Sequence, residues 1–183
     1  MMRWMMVFAL GAAVTSPLAA QDMSAFKTGP VLPVFGPHAP VPGMAALPEN
    51  ARFAIAFDVS APAAEGAANR GFENAARFLN MHAAAGVAPA NIRLAVVVHG
   101  KAGLELLRNE AHAVHPASRK GDNPSAGLVT ALLGKGVRFI LCGQTAAAYG
   151  IAPGDLIAGV EVSLSAMTAH ALLQQQGYTV NPF

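Results

Sequence analysis

Two kinds of segment alternate along the chain: compact apolar runs, and stretches in which apolar residues return every third or fourth position. Residues 52–59, Arg-Phe-Ala-Ile-Ala-Phe-Asp-Val, form a run that breaks at Ser60-Ala61-Pro62 and predict a buried strand. Residues 92–98, Ile-Arg-Leu-Ala-Val-Val-Val, predict a second strand, apolar enough to be covered on both faces as central parallel strands are. Further strands are predicted over 137–141, 159–162 and 178–180. Between the first two runs the period lengthens: over 69–85, Phe72, Ala75, Ala76, Leu79 and Ala83 recur at helical spacing and Gly86 closes the segment. Short helices are expected over 102–109, 124–133 and 145–149, a longer one over 164–176, and a polar loop through His115 and Gly121.

Strands and helices in this alternation imply right-handed crossovers and helices on both sides of a sheet. The predicted fold class is α/β: a single Rossmann-like three-layer domain with a mostly parallel sheet of about five strands. No repeat of fixed period interrupts it. No Gly-rich dinucleotide fingerprint follows the first strand, and no phosphate-cradling loop ends in Gly-Lys-Ser, so no cofactor is expected.

The chain ahead of the first strand divides in two. In residues 1–20, Arg3 supplies a positive end, residues 4–14 an apolar stretch, and Leu18-Ala19-Ala20 small residues ahead of Gln21, the pattern of a cleavable signal peptide and of a periplasmic or secreted protein. That stretch falls short of the ~18 residues a spanning helix needs, so no membrane span is expected after cleavage. The leader holds no cysteine to accept a lipid. Residues 21–50 carry Pro30, Pro33, Pro37, Pro40, Pro42 and Pro48 without a sustained period, which predicts an extended arm that wraps the domain or packs on a neighbour. Residues 51–183 are left for the α/β domain.

Composition narrows the function classes. Apolar residues make up 54% of the 183-residue chain and charged residues 12%, which argues for a folded core and against disorder. The net charge is +2, and the basic residues are scattered with no basic and aromatic interleaving, so nucleic acid is not an expected partner.

Candidate chemistry gathers at two strand ends. Ligands of open parallel sheets bind beyond the carboxyl ends of the strands, where His99-Gly100 and Cys142-Gly143 are both expected. Cys142 is the only cysteine of the chain and cannot form an internal disulfide, so it is a buried inert thiol, an intermolecular partner or a reactive group. It also precedes a short helix, so the amides of Gln144, Thr145 and Ala146 can point toward its sulfur and favour the thiolate. His99 then orients the thiol or carries its proton, or else merely ends its strand. Cys142 and His99 are the candidate catalytic residues, with Gly100, Gly143 and Gln144 as candidate substrate-binding positions.

Other polar residues read more blandly. Glu110, His112 and His115 have ligand types suited to zinc or copper but lack the His-Glu-x-x-His spacing, and a solvated loop explains them; no metal is expected. A copper or zinc carrier would recruit them together with Cys142 and His99. Arg119 and Lys120 fit an anion site or a solvated charge pair. Ser163 or Ser165 reads as a helix N-cap, with Thr168 nearby, and no Gly-x-Ser-x-Gly elbow surrounds them. Asp58 and Asp155 stand as single carboxylates at a strand end and a turn.

Leu94-Ala95-Val96-Val97-Val98-His99-Gly100-Lys101-Ala102, then residues 128–144 ending in Cys-Gly-Gln, then Gly159-Val160 through Gly177-Tyr178, resemble the DsrE/DsrF-like sulfur-relay family, in particular its exported members. The likeness spans about residues 52–183 and is most specific from Gly136-Val137 to Cys142-Gly143-Gln144. The resemblance implies a compact α/β domain that assembles into homo-oligomers, trimers or hexamers. It also implies a cysteine that carries sulfur as a persulfide, a role that falls on Cys142, with a small sulfur donor and a thiol acceptor as partners. A noncatalytic small-ligand or metal-binding protein on the same fold is the alternative.

Overall fold

A computed structural model describes residues 22–181, so the expected leader lies outside the described residues. Five strands, β1 (Phe53–Val59), β2 (Ile92–Val98), β3 (Arg138–Cys142), β4 (Glu161–Ser163) and β5 (Thr179–Asn181), form one sheet in the order β4-β3-β2-β1-β5. Every pairing is parallel. β1 and β2 pair along their whole length, from Phe53 opposite Ile92 to Val59 opposite Val98, and Val98 stands opposite Leu141 of β3. The near-continuous apolar runs are explained by this: strands in the middle of a parallel sheet are covered on both faces.

Alternation of side chains along each strand assigns the two faces. One face carries Phe57, Val59, Leu94, Val96, Val98, Phe139 and Leu141. α1 (Arg70–Ala84) and α3 (Ala126–Leu133) close over it with Phe72, Leu79, Leu128 and Leu132, and the rings of Phe72 and Phe139 meet edge to face at 5.2 Å. The other face carries Ala56, Ala95, Val97 and Ile140, and Ala169 and Leu173 of α5 (Ala166–Gln175) pack on them with Tyr178. Asp58, His99 and Cys142 each lie two positions beyond a residue of that second face, at the carboxyl edge of the sheet.

Three elements differ from the sequence reading. The helix expected over 102–109 is a 3₁₀ coil, Gly100–Leu106, and the expected polar loop contains α2 (Asn109–Val114). The break between them is tertiary: Leu107 pairs with Leu156 as an isolated antiparallel bridge, Arg108 donates its N–H to the carbonyl of Asp155, and the Asn123 side-chain amide donates to the carbonyls of Glu105 and Leu107. Residues 107 and 108 are drawn into extended backbone, and the helix restarts after them. α4 (Gly143–Tyr149) begins two residues earlier than expected, directly from Cys142.

The proline-rich segment wraps its own domain. Lys27 and His38 form an isolated bridge that closes a loop, Leu32 is buried, and the loop lies along α1. Asn80 of α1 is fully buried and accounts for the contact: its Oδ1 accepts from the N–H groups of Val31 and Leu32, and its Nδ2 donates to the carbonyls of Leu32, Phe35 and Gly36. Glu73 accepts from the Gly36 N–H at 2.7 Å, and Arg77 donates to the Pro37 carbonyl at 2.8 Å. A segment without secondary structure thus has its backbone groups satisfied by one helix face. Asn80→Ala strands these groups and is expected to cost about 3 kcal/mol in urea unfolding and to open the arm to limited proteolysis. A variant with unchanged stability and an uncut arm would refute this account of what holds it.

Candidate functional site

The carboxyl edges of the three central strands bring Asp58, His99 and Cys142 to the α5 side of the sheet. His99 follows Val98, the partner of Leu141, and its backbone is still extended, so it takes the rung beside Cys142. Among the described residues no hydrogen bond joins the two; the imidazole turns instead toward β1, its Nε2 3.1 Å from Asp58 Oδ2. A second imidazole, His170 of α5, places its Nε2 2.8 Å from Asp58 Oδ1. Burial pushes the Asp58 carboxyl up, but the hydrogen bonds and charge of His170 and His99 outweigh it and hold the group below the usual carboxylate range. An ionised carboxylate can only accept, so both Nε2 atoms donate to it.

Cys142 is 6% exposed and serves as the N-cap residue of α4. Desolvation pushes its thiol up, yet the thiol lies below its ordinary value. The nearby backbone N–H groups of Thr145, Ala166 and Gln144 and the Thr145 hydroxyl favour the thiolate. The cradle draws on two elements, the start of α4 and the first residue of α5. The buried Thr145 hydroxyl accepts from the Gly100 N–H at 3.0 Å, which leaves its own proton for the sulfur.

Glycine is required beside both candidate residues by backbone packing. A Cβ on Gly143 would stand 2.6 Å from the Ser163 carbonyl oxygen and 3.1 Å from that of Leu164, so the Cys142-Gly143 corner presses on the β4–α5 connection. Gly100 has φ +57°, a conformation that favours glycine, and a Cβ there would meet the Ser60 carbonyl oxygen at 3.2 Å. The Gln144 side chain donates to the Leu164 carbonyl at 3.1 Å, fastening the same connection, while its backbone amide faces the sulfur.

The remaining candidates are held elsewhere. His112 donates through Nδ1 to the Gly121 carbonyl, His115 through Nε2 to the Tyr149 carbonyl, and Glu110 is exposed and pairs with Arg108. Among the described residues no group of three or more His, Cys, Asp or Glu side chains is placed to hold a metal ion. Arg119 donates to the Ala63 carbonyl, and Arg119 and Lys120 border a cavity of about 610 Å³ that shares no residue with the cysteine cradle. Ser165 is the N-cap of α5, its Oγ accepting from the Thr168 N–H at 3.0 Å, and Asp155 accepts from the Ala152 N–H. Two participants escaped sequence reasoning: the Ala166 amide, which depends on how two loops pack, and His170, whose signal was a lone imidazole in the predicted last helix beside the buried Ala169.

Residues 51–182 match the family model described as DsrE/DsrF-like family. The chain belongs to the DsrE/DsrF-like family. Solved structures agree on the fold. A protein of unknown function from Methanobacterium thermoautotrophicum is 24% identical, with a TM-score of 0.52 over 72% of this chain and 99% of that one. The YchN protein from E. coli is 17% identical, with a TM-score of 0.50 over the same shares. No curated protein matches the chain significantly.

Two predictions follow from the electrostatics of this family member's site. The rate of Cys142 alkylation against pH should have its midpoint below that of the unfolded chain, and Thr145→Val should move it upward, because a valine cannot donate to the sulfur. A midpoint unaltered in Thr145→Val would remove the hydroxyl from the cradle. Asp58, depressed in the fold, adds stability that is complete above the ordinary carboxylate range and is lost as pH falls through its folded value. Urea titrations below pH 5 should therefore show a shallower acid loss for Asp58→Asn than for the parent, and equal slopes would contradict the pairing.

Proposed function

We propose that the protein handles sulfane sulfur through Cys142, as a persulfide carrier or sulfurtransferase. The observation that carries this reading is the place of the chain's sole cysteine, N-cap of α4 at the carboxyl edge of a DsrE-like sheet, where nearby amides and the Thr145 hydroxyl hold the thiol below its ordinary value. Such a cradle stabilises the form of cysteine that attacks sulfur electrophiles. With thiosulfate as donor, the Cys142 thiolate attacks the outer sulfur, a Sγ–S bond forms, the S–S bond of thiosulfate breaks, and sulfite leaves with the electron pair. An acceptor thiolate then attacks the outer sulfur of the persulfide and releases the Cys142 thiolate. The initial thiol proton leaves to solvent, and His99, turned toward Asp58, borders the cysteine from the neighbouring strand end. The backbones of Gly100, Gly143 and Gln144 border the approach of the donor.

The signal-like residues 1–20 support action in the periplasm or outside the cell. The family resemblance supports a homo-oligomer, trimer or hexamer. One observation favours a second reading, a noncatalytic small-ligand or assembly protein: Cys142 is a buried residue, as an inert packed cysteine would be.

Intact mass of the purified protein after exposure to thiosulfate or polysulfide separates the two. A gain of one sulfur, absent in Cys142→Ser and removed by a reductant, is the expected result. No gain, with a thiol that reacts only after unfolding, would replace the carrier reading with the noncatalytic one.

A further inference from the structure

α5 meets the sheet through Ala169 and Leu173 against Ala56, Ala95, Val97 and Ile140, an apolar contact that gives burial but little directional restraint. Its placement along the sheet matters, because the connection leading into its first residue, Ala166, packs on the Cys142-Gly143 corner and accepts from Gln144, and the Ala166 amide is among the groups that favour the thiolate. One helical turn further on, at i+4 and hence on the same side of the helix, His170 makes the 2.8 Å contact with Asp58. A single turn of α5 therefore spans the rim from β3, where the cysteine sits, to β1, where the carboxylate sits.

His170 is an expensive way to fill that position. Among the described residues its Nδ1, shut off from solvent, has no hydrogen-bond partner, and its ring's one hydrogen bond is that to Asp58. Asp58 in turn is divided between His170 and His99, which ties α5, β1 and β2 into one unit beside Cys142. The other end of the connection is fixed by the Gly143 backbone against Ser163 and Leu164.

We propose that His170, acting through Asp58, is a positioning residue that seats the first turn of α5 on the Cys142 sulfur, so that the reactivity of the cysteine is set partly from β1. The proposal rests on the reading of Cys142 as the sulfur-carrying residue. The titratable groups facing this corner are Asp58 from β1, His99 from β2 and His170 from α5. α4 offers no charged side chain, and the Glu161 of β4 is paired with Arg138.

The test is the rate of Cys142 alkylation by iodoacetamide against pH, on the full chain, in the parent, His170→Ala and His170→Gln, with circular dichroism to confirm folding. Loss of the pin lets the Ala166 amide withdraw, so His170→Ala is expected to shift the midpoint upward and slow the reaction at pH 7 by about threefold or more. His170→Gln, whose side-chain amide reaches about as far as Nε2 and still donates to Asp58, is expected to retain the parent midpoint. If His170→Ala fails to fold, Asp58→Asn carries the test, with an upward shift expected. A parent midpoint in folded His170→Ala or Asp58→Asn overturns the proposal, and so does an equal shift in His170→Gln. Sulfur loading, read separately by intact mass, distinguishes the two failures. Loading with no midpoint shift sinks the positioning role alone, whereas a midpoint shift without loading upholds the positioning role and sinks the carrier reading.

Discussion

In-register parallel pairing is the constraint on which the site depends. When neighbouring strands run the same way without a slip, residues two apart share a face and equivalent rungs share an edge. Asp58, Val97 and Ile140 are such a set, and His99 and Cys142 follow two residues beyond Val97 and Ile140, so the three side chains emerge on one face of the same edge. A slip of one residue in β2 would turn His99 toward α1 and α3 and bury Val98 under α5. The long β1–β2 pairing, sealed by the Phe72 and Phe139 core on one side and alanines on the other, makes that slip costly.

At the cysteine two effects oppose each other. Burial disfavours a charge on sulfur, and oriented N–H and O–H groups favour it. The second wins because the favouring groups come from two chain segments, the start of α4 and the start of α5. A single short helix start would have supplied the Gln144 and Thr145 amides only. The Ala166 amide arrives through a β4–α5 connection that Gly143 allows to approach to backbone contact.

Much of this was legible in the sequence, for identifiable reasons. β2 was bounded to the residue because an apolar run of seven has no competing period, and α1 to within one residue at each end because Phe72, Ala75, Ala76 and Leu79 repeat at helical spacing. The rim position of His99 and Cys142 followed from the fold class. The Gly100–Leu106 coil and α2 did not, because an isolated bridge to Leu156 and the side chain of Asn123 decide them, and neither is local. The partnership of Asp58 with His170 joins residues 112 positions apart, so sequence alone left each as an unremarkable polar residue.

The near-complete burial of the sulfur and the proposed transfer are compatible once the charge is followed. In the persulfide the negative charge moves to the outer sulfur, about 2 Å beyond Sγ and past the amides aimed at the inner atom. The cradle therefore stabilises the bare thiolate more than the loaded one. A thiol held acidic is also a good leaving group, and release of sulfur to an acceptor is faster for it. The same acidity weakens it as a nucleophile, so loading is favoured only with donors whose own leaving group departs readily, such as sulfite from thiosulfate. The geometry thus suits a site that holds sulfur briefly and passes it on more than one that stores it.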